Sequence, residues 1–286
     1  MQKLKGIFYA IASSATFGLI SLFSVPLLKE GMSSNQITFY RLALAALMMG
    51  LIILFQRKSF RIAKQHILPL IGFGAMYIFT AIMLLQSYTY IDSGLATSIH
   101  FLYPVVVTIL MVLFFSEKFS TGIAAAAFLS VSGVALLSMG GNQLASTTGI
   151  LIAFSTSISY ALYIMGVNNS KVKELDASVF TFYVLCMGTI ILFILNLSFE
   201  GIASIPSGKG AMNLVLLALL STVVSNITLV KAVKHIGSTM TSILGSTEPV
   251  TALGVGVVIF DEGFGWKSLI GIGLILAAVI IVIRRK

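Results

Sequence analysis

The chain has 286 residues, of which 58% are hydrophobic and only 9% charged, with 18 basic against 9 acidic side chains. A soluble domain carries about 25% charged residues, so this chain lacks both the polar surface of a water-soluble enzyme and the charge of a disordered segment. Its mean hydropathy of +1.04 requires most apolar side chains to face lipid.

A helix crosses the hydrocarbon layer with about 20 apolar residues, and the charged residues divide the chain into ten such runs. Met1-Gln2-Lys3-Leu4-Lys5 has the charge of a signal peptide's start. The apolar run behind it, 6–28, exceeds the roughly 7–15 residues of a signal core, so an uncleaved first span is expected. The second span, 36–55, holds Arg41 in its first turns; the third covers 67–90 and the fourth 93–115. No charge occurs from 119 to 170, which is too long for one span. Gly140-Gly141-Asn142-Gln143 supplies a turn signal that splits it into spans at 121–139 and 149–168. The remaining spans are 178–197, 211–230, 235–260 (interrupted only by Glu248) and 264–283. The fold class expected is therefore an all-α integral membrane protein with ten transmembrane helices.

The charges now acquire a topology. With the N-terminus in the cytoplasm, the inside segments hold Lys3, Lys5, Arg57, Lys58, Arg61, Lys64, Lys118, Lys171, Lys173, Lys231, Lys234, Arg284, Arg285 and Lys286. The outside segments hold only Lys29, Lys209 and Lys267. Positive charge concentrates on cytoplasmic loops, so both termini are expected in the cytoplasm. A net charge of +9 would suggest nucleic acid in a soluble protein. Topology accounts for it here, and no nucleic-acid partner is expected. Cys186 is alone, which excludes an intrachain disulfide and a cysteine-based metal cluster.

An internal repeat runs through the chain. Thr38-Phe39-Tyr40 returns as Thr181-Phe182-Tyr183 at an offset of 143, and Gly6-Ile7 returns as Gly149-Ile150 at the same offset. Pro104 matches Pro249, and Glu117 matches Glu262, both at 145. Four matches at nearly constant offset define two halves, residues 5–142 and 147–284, each with five spans. An odd number of crossings turns the second half upside down, the inverted-repeat plan of many secondary transporters.

These motifs resemble the drug/metabolite transporter superfamily in its EamA-type branch. A half of that family ends with a proline-bearing fourth helix, a terminal Glu and a Gly-rich fifth helix. Here those are Tyr103-Pro104-Val105 with Glu117, then Glu248-Pro249-Val250 with Glu262, then Ser132-Gly133-Val134 and Gly271-Ile272-Gly273. Arg41 fits the family's second-helix arginine, but its repeat match is Val184, so the halves are not chemically equivalent. The resemblance implies a central cavity lined by spans 1, 3, 4, 6, 8 and 9, in a bacterial inner-membrane protein that meets lipid and a small-molecule substrate. It implies export of amino acids or related compounds; uptake of a sugar or vitamin is the alternative. A monomer or weak homodimer is expected.

Ionisable groups inside a membrane are costly and mark candidate sites. Glu248 lies deep in the ninth span, directly before Pro249, whose missing N–H frees a carbonyl one turn back. A desolvated carboxylate there can hold a proton or a substrate ammonium, or it can simply fix the helix bend. His100 lies one turn before Pro104 and can bind substrate, sense pH, or make a plain interhelical hydrogen bond. Arg41 faces the bundle or the outer headgroups, and snorkelling would satisfy it without any function. The polar lining candidates are Ser14, Tyr77, Tyr103, Tyr160, Tyr163 and Asn226, with Ser13, Thr16, Thr80, Thr97, Ser98, Ser157, Ser225, Thr241, Ser242, Ser246 and Thr247 behind them. Small hydroxyl residues also serve helix packing. Tyrosines at mid-membrane are more telling, since their usual place is the interface. Tyr160 and Tyr163 share one helical face.

The energy source is constrained by what is missing. Ser207-Gly208-Lys209-Gly210 lacks the remainder of a Walker A loop, and Gly72-Phe73-Gly74 and Gly254-Val255-Gly256 lack the rest of a dinucleotide fingerprint. No His-Glu-x-x-His or Gly-x-Ser-x-Gly motif occurs. The expectation is a gradient-driven transporter with no cofactor, no metal and no enzymatic reaction. A receptor would need an output domain that these short loops cannot form. An intramembrane enzyme would need a catalytic pair, for which His100 and Glu248 are the candidates.

Overall fold

The computed structural model describes residues 2–87, 90–91, 93–118, 120–138, 146–199, 201, 204–205, 207–259 and 265–284, without the side chains of 21, 85, 93–95, 98, 137–138, 199 and 256. The predicted turn at 140–143, Glu262, Arg285, Lys286 and the Ser98 side chain lie outside the described residues. Among the described residues every regular element is helical. In the first half these are α1 (Gln2–Phe17), α2 (Ile20–Lys29), α3 (Ser34–Phe55), α4 (Lys64–Ser87), α5 (Ser93–His100), α6 (Tyr103–Phe115) and α7 (Thr121–Ser138). In the second they are α8 (Thr147–Asn169), α9 (Ala177–Phe199), α10 (Gly208–Ala218), α11 (Ser225–Leu244), α12 (Thr247–Ile259) and α13 (Trp266–Arg284). A 3₁₀ turn, Lys171–Glu174, joins α8 to α9, and a π-helical stretch, Leu219–Val224, joins α10 to α11.

Local chemistry sets several boundaries. Ser33 and Gln36 form a reciprocal capping box at the start of α3: Gln36 N donates to Ser33 Oγ at 3.2 Å, and Ser33 N donates to Gln36 Oε1 at 3.0 Å. Asp176 caps α9 by accepting from Ser178 N at 2.9 Å. Ser207 caps α10 by accepting from Gly210 N at 2.8 Å.

Seven helical stretches are long and apolar enough to cross a membrane among the described residues: Gln2–Lys29, Ser34–Phe55, Lys64–Leu84, Thr147–Asn169, Ala177–Ser198, Gly208–Leu244 and Trp266–Arg284. Three shorter apolar helices, Tyr103–Phe115, Thr121–Leu136 and Thr247–Ile259, fall where the fourth, fifth and ninth spans were expected. The expected continuous helices at 6–28, 93–115 and 235–260 are each broken, at Gly18-Leu19, at Phe101-Leu102 and at Gly245-Ser246. The eighth span does not stop at Val230. It continues until Gly237, which takes φ 80°, ψ 170° and so turns the chain into the next helical segment. Lys231 and Lys234 thus sit on helix rather than in a loop.

The two halves interdigitate. The most intimate pairs are α1 with α11, α4 with α8, α3 with α9 and α7 with α13, each joining one half to the other. Helices in lipid associate through close packing of small residues. At α7 against α13, a Cβ on Gly133 would lie 2.7 Å from the Gly271 carbonyl oxygen and 2.7 Å from Ile275 Cγ1.

The basic segments gather at one end of the bundle. Lys3 Nζ donates to Ile283 O at 3.2 Å, Lys58 pairs with Asp176 at 2.8 Å, and Tyr183 Oη donates to Phe60 O at 2.6 Å. Lys234 Nζ donates to Leu175 O, and Thr239 Oγ1 to Glu117 Oε2 at 2.8 Å. At the opposite end Ser207 Oγ donates to Glu30 at 2.8 Å.

Two predictions follow from this packing. Gly133→Ala pushes α7 and α13 apart and is expected to cost about 1–3 kcal/mol, read as a lower melting temperature in detergent. Gly72→Ala, with no heavy atom within 4 Å of its added carbon, leaves the melting temperature unchanged or slightly raised. At Asp176, burial pushes the carboxyl up, but Lys58 and Ser178 outweigh it and hold it below the ordinary carboxylate value. A carboxyl so depressed stabilises the fold above its unfolded pKa of about 3.9 and loses that contribution as pH falls through the folded value. Asp176→Ala therefore lowers stability at pH 7 by about 1 kcal/mol, mostly through the lost cap. The gap to wild type narrows below about pH 4. Asp176→Asn keeps a capping oxygen and loses less, because the ion pair is solvent-exposed.

Candidate functional site

A central cavity opens between α1, α4, α6, α8, α11 and α12. In this state its volume is only about 20 Å³, room for little more than one water, and the open space around its mouth brings the total to about 380 Å³. These helices correspond to the expected lining spans 1, 3, 4, 6, 8 and 9, and no described residue of the other four contributes.

The cavity forms where helices are interrupted. α6 begins at Tyr103-Pro104, so the proline occupies a first-turn position where its missing N–H costs nothing. The Leu102 carbonyl accepts from Val105 N at 2.9 Å and Val106 N at 3.1 Å. α12 begins similarly, with Pro249 in its first turn after Thr247-Glu248. The carbonyl that Pro249 deprives of a donor, that of Gly245, accepts instead from Glu248 N at 3.0 Å. It is not left free, as the sequence suggested. The repeat thus places Tyr103 in one half where Glu248 stands in the other.

Six of the expected site residues meet at this cavity: Ser14, Tyr77, Tyr103, Tyr160, Asn226 and Glu248. Tyr103 and Tyr160 pack edge to face at 4.8 Å and 88°. Asn226 Nδ2 donates to Thr222 O at 2.8 Å and contacts Tyr77 Oη at 3.4 Å. Ser14 Oγ donates to Ala10 O at 3.0 Å. Ser13 and Ser225 clasp α1 to α11, each hydroxyl donating to the other's carbonyl, at 2.9 Å and 3.1 Å. The Glu248 carboxylate accepts no hydrogen bond from any described residue.

The other expected site residues stand elsewhere. Tyr163 is buried behind the wall, stacked on Tyr160 at 6.1 Å and 3°. His100 is also buried behind it, with its ring against Tyr103 and Tyr160 and Nδ1 2.9 Å from Thr156 Oγ1. The two tyrosines line the cavity and His100 does not, so no catalytic pair with Glu248 faces the space. Arg41 does not snorkel to the headgroups. Its Nε donates to Thr222 Oγ1 at 2.6 Å, Nη2 reaches the Ser221 carbonyl at 3.4 Å, and Cζ lies 5.4 Å over the Phe17 ring. Thr222 and Ser221 belong to the π-helical stretch, whose widened turn presents backbone and hydroxyl oxygens that an ordinary helix would use internally.

Phe17, Ile164, Leu229 and Gly245 line the cavity and were not singled out by sequence. Only Gly245 carried a signal, as the repeat match of His100. A Cβ there would strike the Tyr103 hydroxyl, so the tyrosine closes over the gap between α11 and α12.

The arrangement is that of a membrane transporter of small molecules: an apolar helical bundle around a small central pocket with few, placed polar groups. The sequence pattern of the EamA-like transporter family matches residues 4–139 and again 147–284. The chain belongs to the EamA-like transporter family. A solved chain described as "Crystal structure of protein" superimposes with a TM-score of 0.83 over 98% of this chain and 95% of its own, at 16% identity; that likeness shows the fold alone. No curated protein sequence matches the chain.

The Tyr103–Gly245 contact yields a rescue test. Gly245→Ala displaces the tyrosine and is expected to lower stability by about 1–3 kcal/mol. Gly245→Ala with Tyr103→Phe removes the hydroxyl that the new methyl meets and recovers part of the loss in melting temperature, the remainder resting on the Ser242 carbonyl oxygen 2.9 Å from the added carbon. No recovery in the double variant would show that the clash lies elsewhere.

Proposed function

We propose that this protein is a secondary transporter that moves amino acids or related compounds out of a bacterial cell by alternating access. Residues 5–142 and 147–284 form two inverted five-helix halves, ten crossings in all, with both termini in the cytoplasm, in a monomer or weak homodimer. The observation that carries this reading is the meeting of Glu248 with Tyr77, Tyr103 and Tyr160 in a cavity built from both halves. Broken helices around a midplane site are the feature that inverted-repeat transporters share. Reciprocal packing supports the inversion, since the pair of α4 with α8 across the halves is mirrored by that of α11 with α1. The fourteen-to-three division of basic residues supports the orientation.

Glu248 supplies the coupling group. A carboxylate that faces the cavity without a fixed hydrogen-bond partner exchanges a proton for a substrate ammonium at one place. Outward solute flux then runs on an inward proton gradient. Protein in liposomes is expected to exchange labelled amino compounds in a pH-dependent manner. Glu248→Gln should lower exchange by at least about tenfold and remove its pH dependence, the effect of losing a charge partner. Unchanged exchange and pH dependence in that variant would make Glu248 a structural residue.

A further inference from the structure

The charges around the cavity narrow its substrate. Among the described residues the lining contains one carboxylate, Glu248, and no Lys, Arg or His. Arg41 is a cation within a span, on α3. Its donors are turned to Thr222 and the Ser221 carbonyl, and its flat face rests on Phe17. Phe17 is itself a lining residue and Arg41 is not. A solute in the cavity therefore meets the Phe17 ring and not the guanidinium.

The aromatic part of the lining is braced from behind. Tyr160 stacks on the buried Tyr163 and packs edge to face on Tyr103, and both cavity rings are backed by His100. Ring faces attract organic cations, with a strength that rises when water is excluded. An ammonium placed between Glu248 and these rings gains a charge partner and aromatic contacts together. A substrate carboxylate in the same space finds no cationic side chain among the described lining residues, and a buried charge without a partner is costly.

We propose that the cavity takes singly charged organic amines with an aromatic or apolar body, of the kind left when an amino acid loses its carboxyl group, and rejects the parent zwitterions. This rests on the transporter reading above and selects the amine side of it. The carboxylate and the aromatic wall hold the ammonium, and Phe17, Ile164 and Leu229 take the body.

The test uses matched pairs with the purified full chain: tryptamine with tryptophan, tyramine with tyrosine, and phenethylamine with phenylalanine. Binding is read by thermal stabilisation in detergent, and exchange is read in liposomes. Each amine is expected to bind at least about thirtyfold more tightly than its amino acid, the size expected for a buried charge left unpaired. Glu248→Gln, checked by its elution as an intact particle, should erase that preference. Phe17→Ala should instead weaken each amine while keeping the preference. Exchange of the amino acids as well as or better than the amines overturns the amine proposal and leaves the transporter reading standing. Exchange of neither member of any pair overturns both. An undiminished preference in Glu248→Gln removes the carboxylate as its origin and overturns the proposal.

Discussion

In hydrocarbon, a backbone N–H or C=O that finds no partner costs several kcal/mol, so irregular chain survives at membrane depth only where protein or a cavity surrounds it. The interruptions of this bundle obey that constraint. The break at Gly18-Leu19 adjoins Phe17, and the break at Phe101-Leu102 adjoins Tyr103. The π-helical stretch runs into Ser225 and Asn226, and the break at Gly245-Ser246 leads into Glu248. All four border the one cavity, and their loosened carbonyls are taken up locally, as Gly245 O is by Glu248 N. The site is where the fold can depart from regular helix without exposing polar backbone to lipid.

Pseudo-symmetry supplies the frame, and departures from it supply the chemistry. The prolines of α6 and α12 both lie in the first turn of their helices and match through the repeat. At the residue before each proline the halves differ, Tyr103 in one and Glu248 in the other. One turn earlier they differ again, His100 against Gly245, and the small residue admits the tyrosine of the opposite half. Arg41 has no counterpart at Val184, and only its side of the bundle has the π-helical stretch that receives it. The result is a cavity that combines a carboxylate with aromatic rings.

The basic end is held by contacts of a different kind. Lys58 with Asp176, Tyr183 with Phe60 and Thr239 with Glu117 tie loops of one half to helix ends of the other. Exposed ion pairs are worth about 0–1 kcal/mol. Ties of this size yield to a modest difference in ligand affinity.

The sequence by itself determined the membrane class, the division into two repeats, the family and most of the cavity's polar groups. These follow from composition and spacing: lipid demands long apolar runs, and proline, tyrosine and glutamate are conspicuous among them. Tertiary structure alone decided three things. Arg41 turns to Thr222 and not to the headgroups, because a π turn 180 residues away offers it oxygens. His100 packs behind Tyr103 and Tyr160, because Thr156 on another helix takes its Nδ1. Gly245, Phe17 and Leu229 join the site because helices from both halves bring them there. Each depends on a partner distant in the chain, and an apolar sequence gives no local signal of which helix faces which, since every face is hydrophobic enough for lipid.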